Sequence, residues 1–109
     1  MTGPFVYASS LAIDIETVRR LPEADTVAAE THIVLERIEA QLAAAGLARK
    51  DIVKTTCYLS DEAHRMEFLE AYKEHFGEGP YPARCTVVLG IAGDCRVQIE
   101  AVAETAPTG

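Results

Sequence analysis

Tryptophan is absent from this chain of 109 residues, and aromatic residues make up only 6% of it. Hydrophobic residues still reach 49%, so the core must be assembled from aliphatic side chains and alanine. No apolar run approaches the roughly 20 residues needed to cross a bilayer. The start carries neither the basic n-region nor the long h-region of a signal peptide. Positive charge is scarce as well. Ten Lys and Arg face 17 Asp and Glu, a net charge of −7 with a pI near 4.8. Phosphate binding needs a basic footprint, which argues against a nucleic-acid partner. The two basic pairs, Arg19-Arg20 and Arg49-Lys50, are not interleaved with aromatics and read as solvated loops. Cys57, Cys85 and Cys95 are odd in number and unevenly spaced in strand-like runs. That suits reduced, packed thiols and not a disulfide framework. These features together predict a soluble, cytoplasmic protein, one domain spanning residues 1–109, with no membrane association.

What is present is a regular alternation of patterns. Residues 5–11 form a β-rich, mostly apolar run, and residues 13–22 carry mixed charges typical of a turn and connector. Val27, Thr31, Val34, Leu35, Ile38, Leu42 and Ala45 recur at helical spacing, so a helix is predicted over 26–45. Asp25 or Thr26 would cap it and Gly46 would end it. Glu30, Glu36, Arg37 and Glu39 are expected on its solvated outer side. A strand follows at 52–59, rich in Ile, Val and Thr. Ser60-Asp61-Glu62 reads as the start of a second helix, with Arg65, Leu69, Tyr72 and Phe76 as its inner stripe and Met66 and Phe68 beside them. Gly77 and Gly79 stop it. Residues 85–91 and 95–103 read as two further strands joined as a hairpin through Ala92-Gly93-Asp94. There is no internal repeat and no low-complexity stretch beyond the tail after Thr105. This order predicts an α+β sandwich, two helices on one face of a mixed sheet. The opposite face mixes polar and apolar groups, as a surface that closes against another copy would.

One arginine stands out. In Tyr81-Pro82-Ala83-Arg84-Cys85-Thr86, Pro80 and Pro82 stiffen the backbone just before an apolar strand begins. A guanidinium fixed there is always charged and its planar fork matches a carboxylate. It reads as an anion clamp for a small acid, in competition with an ordinary ion pair to a nearby Glu. Arg84 and Thr86 share a strand face, as do Gln98 and Glu100. If those faces coincide across the hairpin, one concave site holds a cation, a hydroxyl, a carboxamide and a carboxylate; a slip of one residue would reverse the face. Ser9 and Ser10 interrupt the first strand, either at an edge or as donors lining a pocket. Cys85 follows the arginine, but alternation turns it away and favours a core position. His32, His64 and His75 lack metal-ligand spacing, and His32 and His64 read as surface residues on helices. No glycine-rich phosphate loop joins a strand to a helix.

Phe76-Gly77-Glu78-Gly79-Pro80-Tyr81-Pro82-Ala83-Arg84 and Val97-Gln98-Ile99-Glu100-Ala101-Val102-Ala103 resemble the signature of the RidA/YjgF (Rid) family. Asp51-Ile52-Val53-Lys54-Thr55-Thr56-Cys57-Tyr58-Leu59-Ser60-Asp61 is similar to that family's central strand. The resemblance implies a chorismate-mutase-like α+β fold, usually a homotrimer with an inner barrel of sheets, outer helices and clefts at the subunit interfaces. It implies hydrolysis of reactive enamines and imines to ammonia and 2-oxo acids, as in 2-iminobutanoate/2-iminopropanoate deaminases, with no metal or organic cofactor. By position, Arg84 is the carboxylate clamp, Ser9 matches the serine ending the first strand, and Ser10 stands where a glycine backbone lines the site. Thr86 falls at a ligand-contacting position, and Glu100 matches the second acidic residue of the last strand. Gln98 replaces the glutamate thought to position water or move a proton, which marks the chain as a divergent member. A carboxamide can hold water but does not titrate usefully. The family's usual first strand, with a tyrosine that covers the cleft, has no counterpart here. Two functions follow from the resemblance: a cofactor-independent deaminase using Arg84 and Gln98, or a non-catalytic trimer that binds a small carboxylate or a protein. A third, RNA cleavage, fits poorly with the acidic balance.

Overall fold

The computed structural model describes residues 4–105. Strand β1 (Phe5–Leu11) leads into a short hairpin, β2 (Ile13–Asp14) and β3 (Arg19–Arg20), where the sequence suggests only a connector. Asp14 shapes that turn by accepting the N–H of Glu16 at 2.9 Å. Helix α1 (Val27–Ala44) starts at Thr26, whose Oγ1 accepts the Ala29 N–H at 3.0 Å, and Gly46 follows its end with φ +78°. Strand β4 (Ile52–Leu59), helix α2 (Arg65–Phe76), strand β5 (Ala83–Val88) and strand β6 (Val97–Glu104) complete the order.

The predicted hairpin between residues 85–91 and 95–103 does not form. The sheet order is β1-β6-β4-β5, with β4 lying between the two supposed partners. Helix α2 returns the chain so that β5 pairs parallel with β4. β1 and β4 are each antiparallel to β6, so they run parallel to one another with a gap one strand wide, and β6 fills that gap. The central place suits its sequence. Val97, Ile99, Ala101 and Ala103 are all buried beneath the helices. The connection from β5 to β6 crosses to the β2–β3 hairpin and is held there. Asp94 accepts the Arg20 N–H at 2.6 Å, and Gly93 (φ +63°) passes so close that a Cβ would lie 2.8 Å from the Val18 carbonyl oxygen.

Both helices cover one face of the sheet, as expected, but several of their side chains are placed differently. Glu30 is fully buried rather than solvated. It lies three residues after Val27 and four before Val34, inside the apolar stripe. Its carboxylate accepts the N–H groups of Arg96 at 2.7 Å and Val97 at 3.1 Å, and the Arg96 Nε–H at 2.7 Å. Arg37 and Glu39 are likewise engaged: Arg37 donates to the carbonyls of Leu11 and Ile13, and Glu39 pairs with Arg49. In α2 the inner residues are Phe68, Ala71 and Tyr72, while Met66 is exposed and Arg65 pairs outward with Glu62. Leu69 and Phe76 of the expected stripe also pack against the core, so only Arg65 departs from it, and a 3-10 turn over Glu62–His64, capped by Asp61, precedes the helix. His32, expected at the surface, is half-buried. Its Nδ1 lies 2.9 Å from the Nδ1 of His75 across the α1–α2 seam, and His75 Nε2 lies 2.8 Å from a Glu39 oxygen.

Breaking a buried pair by removing one partner typically costs about 3–5 kcal/mol. Arg96→Ala should lower unfolding stability by that order in urea titration, because Glu30 then keeps only backbone donors. A loss under about 1 kcal/mol would place the pair with surface ion pairs. Cys57 is fully buried beneath the helices, and burial pushes its thiol from an ordinary 9.0 to about 11. A folded-state value raised above the unfolded one stabilises fully below pH 9, and that contribution is lost as pH rises through about 11. Stability should therefore fall across this window by roughly 2–3 kcal/mol more in the natural chain than in Cys57→Ala. Identical pH slopes for the two proteins would refute this.

Candidate functional site

Arg84 is the second residue of β5 and follows directly from the stiff Pro80-Tyr81-Pro82 segment. Tyr81 is itself tied back, its hydroxyl donating to the Gly77 carbonyl at 2.5 Å. Arg84 stands in register with Thr55 of β4, on the helix-covered side of the sheet. Its guanidinium lies 5.5 Å from the centroid of the Tyr72 ring and donates to Thr86 Oγ1. Tyr72 is anchored in turn: its hydroxyl lies 2.7 Å from Thr55 Oγ1, and burial pushes its phenol up to about 12, so the ring stays neutral. The side chain remains exposed at the sheet edge and forms no ion pair among the described residues. The competing expectation of a Glu partner is not met. A cavity of about 290 Å³ opens beside it, lined by Leu69, Tyr72, Lys73, Tyr81, Pro82 and Arg84.

The opposite, helix-free face holds the other candidates. Ser9, Lys54, Thr56 and Glu100 line a cavity of about 230 Å³ there. Tyr58 donates its hydroxyl to Glu100 Oε1, and that bond to a carboxylate raises the phenol above its ordinary range. Gln98 is placed directly across from Tyr58 on one side and Leu11 on the other. Ser9 has its backbone N–H and carbonyl satisfied by the Gln41 amide, at 3.2 and 2.8 Å. Ser10 alternates to the buried side.

The candidate residues thus fall into two sets, and the faces of Arg84 and Gln98 do not coincide. The hairpin register was the condition for their meeting, and β4 lies where that hairpin would have closed. Ser9 and Arg84 sit on opposite edge strands, about 14 Å apart at three strand spacings, with side chains on opposite faces. Cys85 is also corrected. Alternation does turn it from Arg84, but onto the bare face, where it is exposed instead of buried. Sequence reasoning passed over Lys54, Tyr58 and Lys73. Lys54 and Tyr58 were legible from alternation with Thr56 along β4; Lys73 could be placed only through the packing of α2 against the Pro82 loop. A larger cavity, about 720 Å³, lies behind that loop between Arg49, Phe76 and Pro80 and includes none of the candidate residues.

A family model described as Endoribonuclease L-PSP matches residues 1–105. A RutC family protein of Pyrococcus horikoshii is 43% identical over 75 residues, which span 68% of this chain and 59% of that protein. A 2-iminobutanoate/2-iminopropanoate deaminase of Escherichia coli K12 is 34% identical over 112 residues, 93% of this chain and 87% of that protein. Among solved structures, E. coli TdcF with bound serine superposes with a TM-score of 0.81 at 27% identity, covering 95% of this chain and 83% of that one. Two helices packed on a mixed four-stranded sheet, the proline-flanked Arg84 and a match over nearly the full length agree: the chain belongs to the endoribonuclease L-PSP, or RidA/YjgF, family.

Proposed function

We propose that this protein is a cofactor-independent deaminase that hydrolyses small enamines and imines of amino-acid origin to 2-oxo acids and ammonia, acting as a homotrimer. The observation that carries the reading is Arg84: a guanidinium without a carboxylate partner, positioned by a rigid loop and the Tyr72 ring at the mouth of a cavity. A fork so placed suits the carboxylate of a 2-imino acid. Relatives named as imine deaminases and a relative crystallised with serine, a small carboxylate, lend support. So does the bare sheet face, where Tyr7 is 63% exposed and Val87 39%, as befits a surface that meets another copy.

Because Arg84 and Gln98 lie on opposite faces of one sheet, the site takes them from two copies. Arg84 and Thr86 of one protomer hold the carboxylate, while Ser9, Gln98 and Glu100 of its neighbour border the imine carbon. Once the enamine has tautomerised, the Gln98 amide orients water toward that carbon. Water adds, and the carbinolamine collapses with loss of ammonia. Positioning and the fixed charge carry most of the rate. Lacking a general base at Gln98 typically costs 10²–10⁴-fold, so turnover is slow. An RNA substrate is not favoured by a net charge of −7.

Ammonia release from freshly generated 2-aminoacrylate measures the activity. Arg84→Ala should lower kcat/KM by about 10²–10³-fold, the scale of losing a charge-assisted clamp; undiminished activity would remove Arg84 from the site. Gln98→Glu should raise kcat by about tenfold or more by restoring a titrating group. An unchanged rate there would take residue 98 out of the mechanism. Tight binding of 2-oxo acids without ammonia release from any imine would mark a binding protein instead.

A further inference from the structure

The cavity beside Arg84 contains a second cation. Leu69, Tyr72, Tyr81 and Pro82 supply its apolar walls, and Lys73 joins Arg84 in its lining. No carboxylate lines it. Neither cation forms an ion pair among the described residues, whereas Arg20, Arg49, Arg65 and Arg96 each have an acidic partner. In a chain of net charge −7, acids are plentiful, so a cavity to which one protomer contributes two unpaired cations and no acid is a local reversal of the protein's charge. Like charges bordering one small space repel each other, and an anion entering between them relieves that repulsion.

The two cations differ in the way a two-ended ligand requires. The guanidinium is planar, rests on the Tyr72 ring and offers a fork of fixed direction. The ammonium is a point charge on a flexible stem that can follow a more distant group. A single carboxylate satisfies Arg84 and leaves Lys73 unused. The volume of about 290 Å³ leaves room for a longer chain, and the apolar walls suit the methylenes between two charged ends.

We propose that this site prefers imines and 2-oxo acids that carry a second carboxylate, with Arg84 holding the carboxylate next to the reacting carbon and Lys73 the distal one. The inference rests on the reading of Arg84 as a carboxylate clamp. The reaction supplying such a substrate is one that oxidises an acidic amino acid at its α-carbon. Repulsion from the acidic surface slows the approach of a dianion, and the paired cations offset this at the cavity itself.

Calorimetric titration of the full chain at low ionic strength tests the inference without recourse to turnover. 2-Oxoglutarate should bind about tenfold or more tightly than 2-oxobutanoate. Lys73→Gln should bring the ratio of the two affinities close to one, and Lys73→Glu should reverse it. Arg84→Ala should weaken both ligands, and raising the salt should narrow the ratio. Equal affinities in the natural chain, or a preference that survives Lys73→Gln, would overturn the role of Lys73 while leaving the clamp intact. Inorganic phosphate competing as well as 2-oxoglutarate would also overturn it, since that marks an anion site without regard to length. Failure of both oxo acids to bind would instead defeat the reading of Arg84 itself.

Discussion

The arrangement of this molecule depends on one buried carboxylate. Glu30 enters the core on the same stripe as Val27 and Val34, where desolvation would be prohibitive without compensation. Arg96 and two backbone N–H groups at the head of β6 supply that compensation. Arg96 also donates to the Ala24 carbonyl at 2.8 Å, so the same contact holds the approach to α1. The result is a clasp between the first helix and the last strand, made by residues 66 positions apart. It secures the start of β6 under α1, and with β6 in the centre β5 becomes the edge.

That edge is why Arg84 is available. A strand flanked on both sides would have its ends enclosed, and an arginine there would need an internal acid. At the edge, with α2 beside it, the guanidinium rests on the Tyr72 ring face and keeps its outward side free. Tyr72 can serve as this platform because Thr55, on the neighbouring strand, holds its hydroxyl. The contact is a short relay from the centre of the sheet to its rim: buried threonine, half-supported ring, exposed cation. Each step uses a different interaction, and none requires an ion pair.

The opposite face follows another logic. Ser9, Lys54, Thr56, Tyr58, Gln98 and Glu100 project from three adjacent strands onto a surface that no helix covers. Polar groups occupy its middle, and apolar ones such as Tyr7 and Val87 lie toward its edges. A sheet whose two faces divide the polar groups in this way cannot assemble them into one cleft by itself. In the proposed function that face is the one that meets a second copy.

Much of this was readable from residue order. Thr26 and Gly46 bracket α1, Ile52–Leu59 has the β-branched composition of the strand it forms, and the proline-flanked Arg84 opens a strand as expected. Those features are local, set by caps, periodicity and backbone stiffness within a few residues. Glu30 and His32 were misplaced because a charged or polar side chain is assigned to water by default, and only a distant partner reverses that; Cys85 was assigned to the core with its apolar strand and is exposed because no helix covers that face. The hairpin failed for a similar reason. Proximity in sequence favoured pairing residues 85–91 with 95–103, but the vacancy between β1 and β4 offered β6 two partners and a helix above it. Composition and spacing alone determined the two helices, the four main strands and their order, and put Arg84 near the start of a strand. Tertiary structure decided which strands are neighbours, which face each candidate occupies and that Lys73 stands beside Arg84, because those follow from long-range packing that no local pattern encodes.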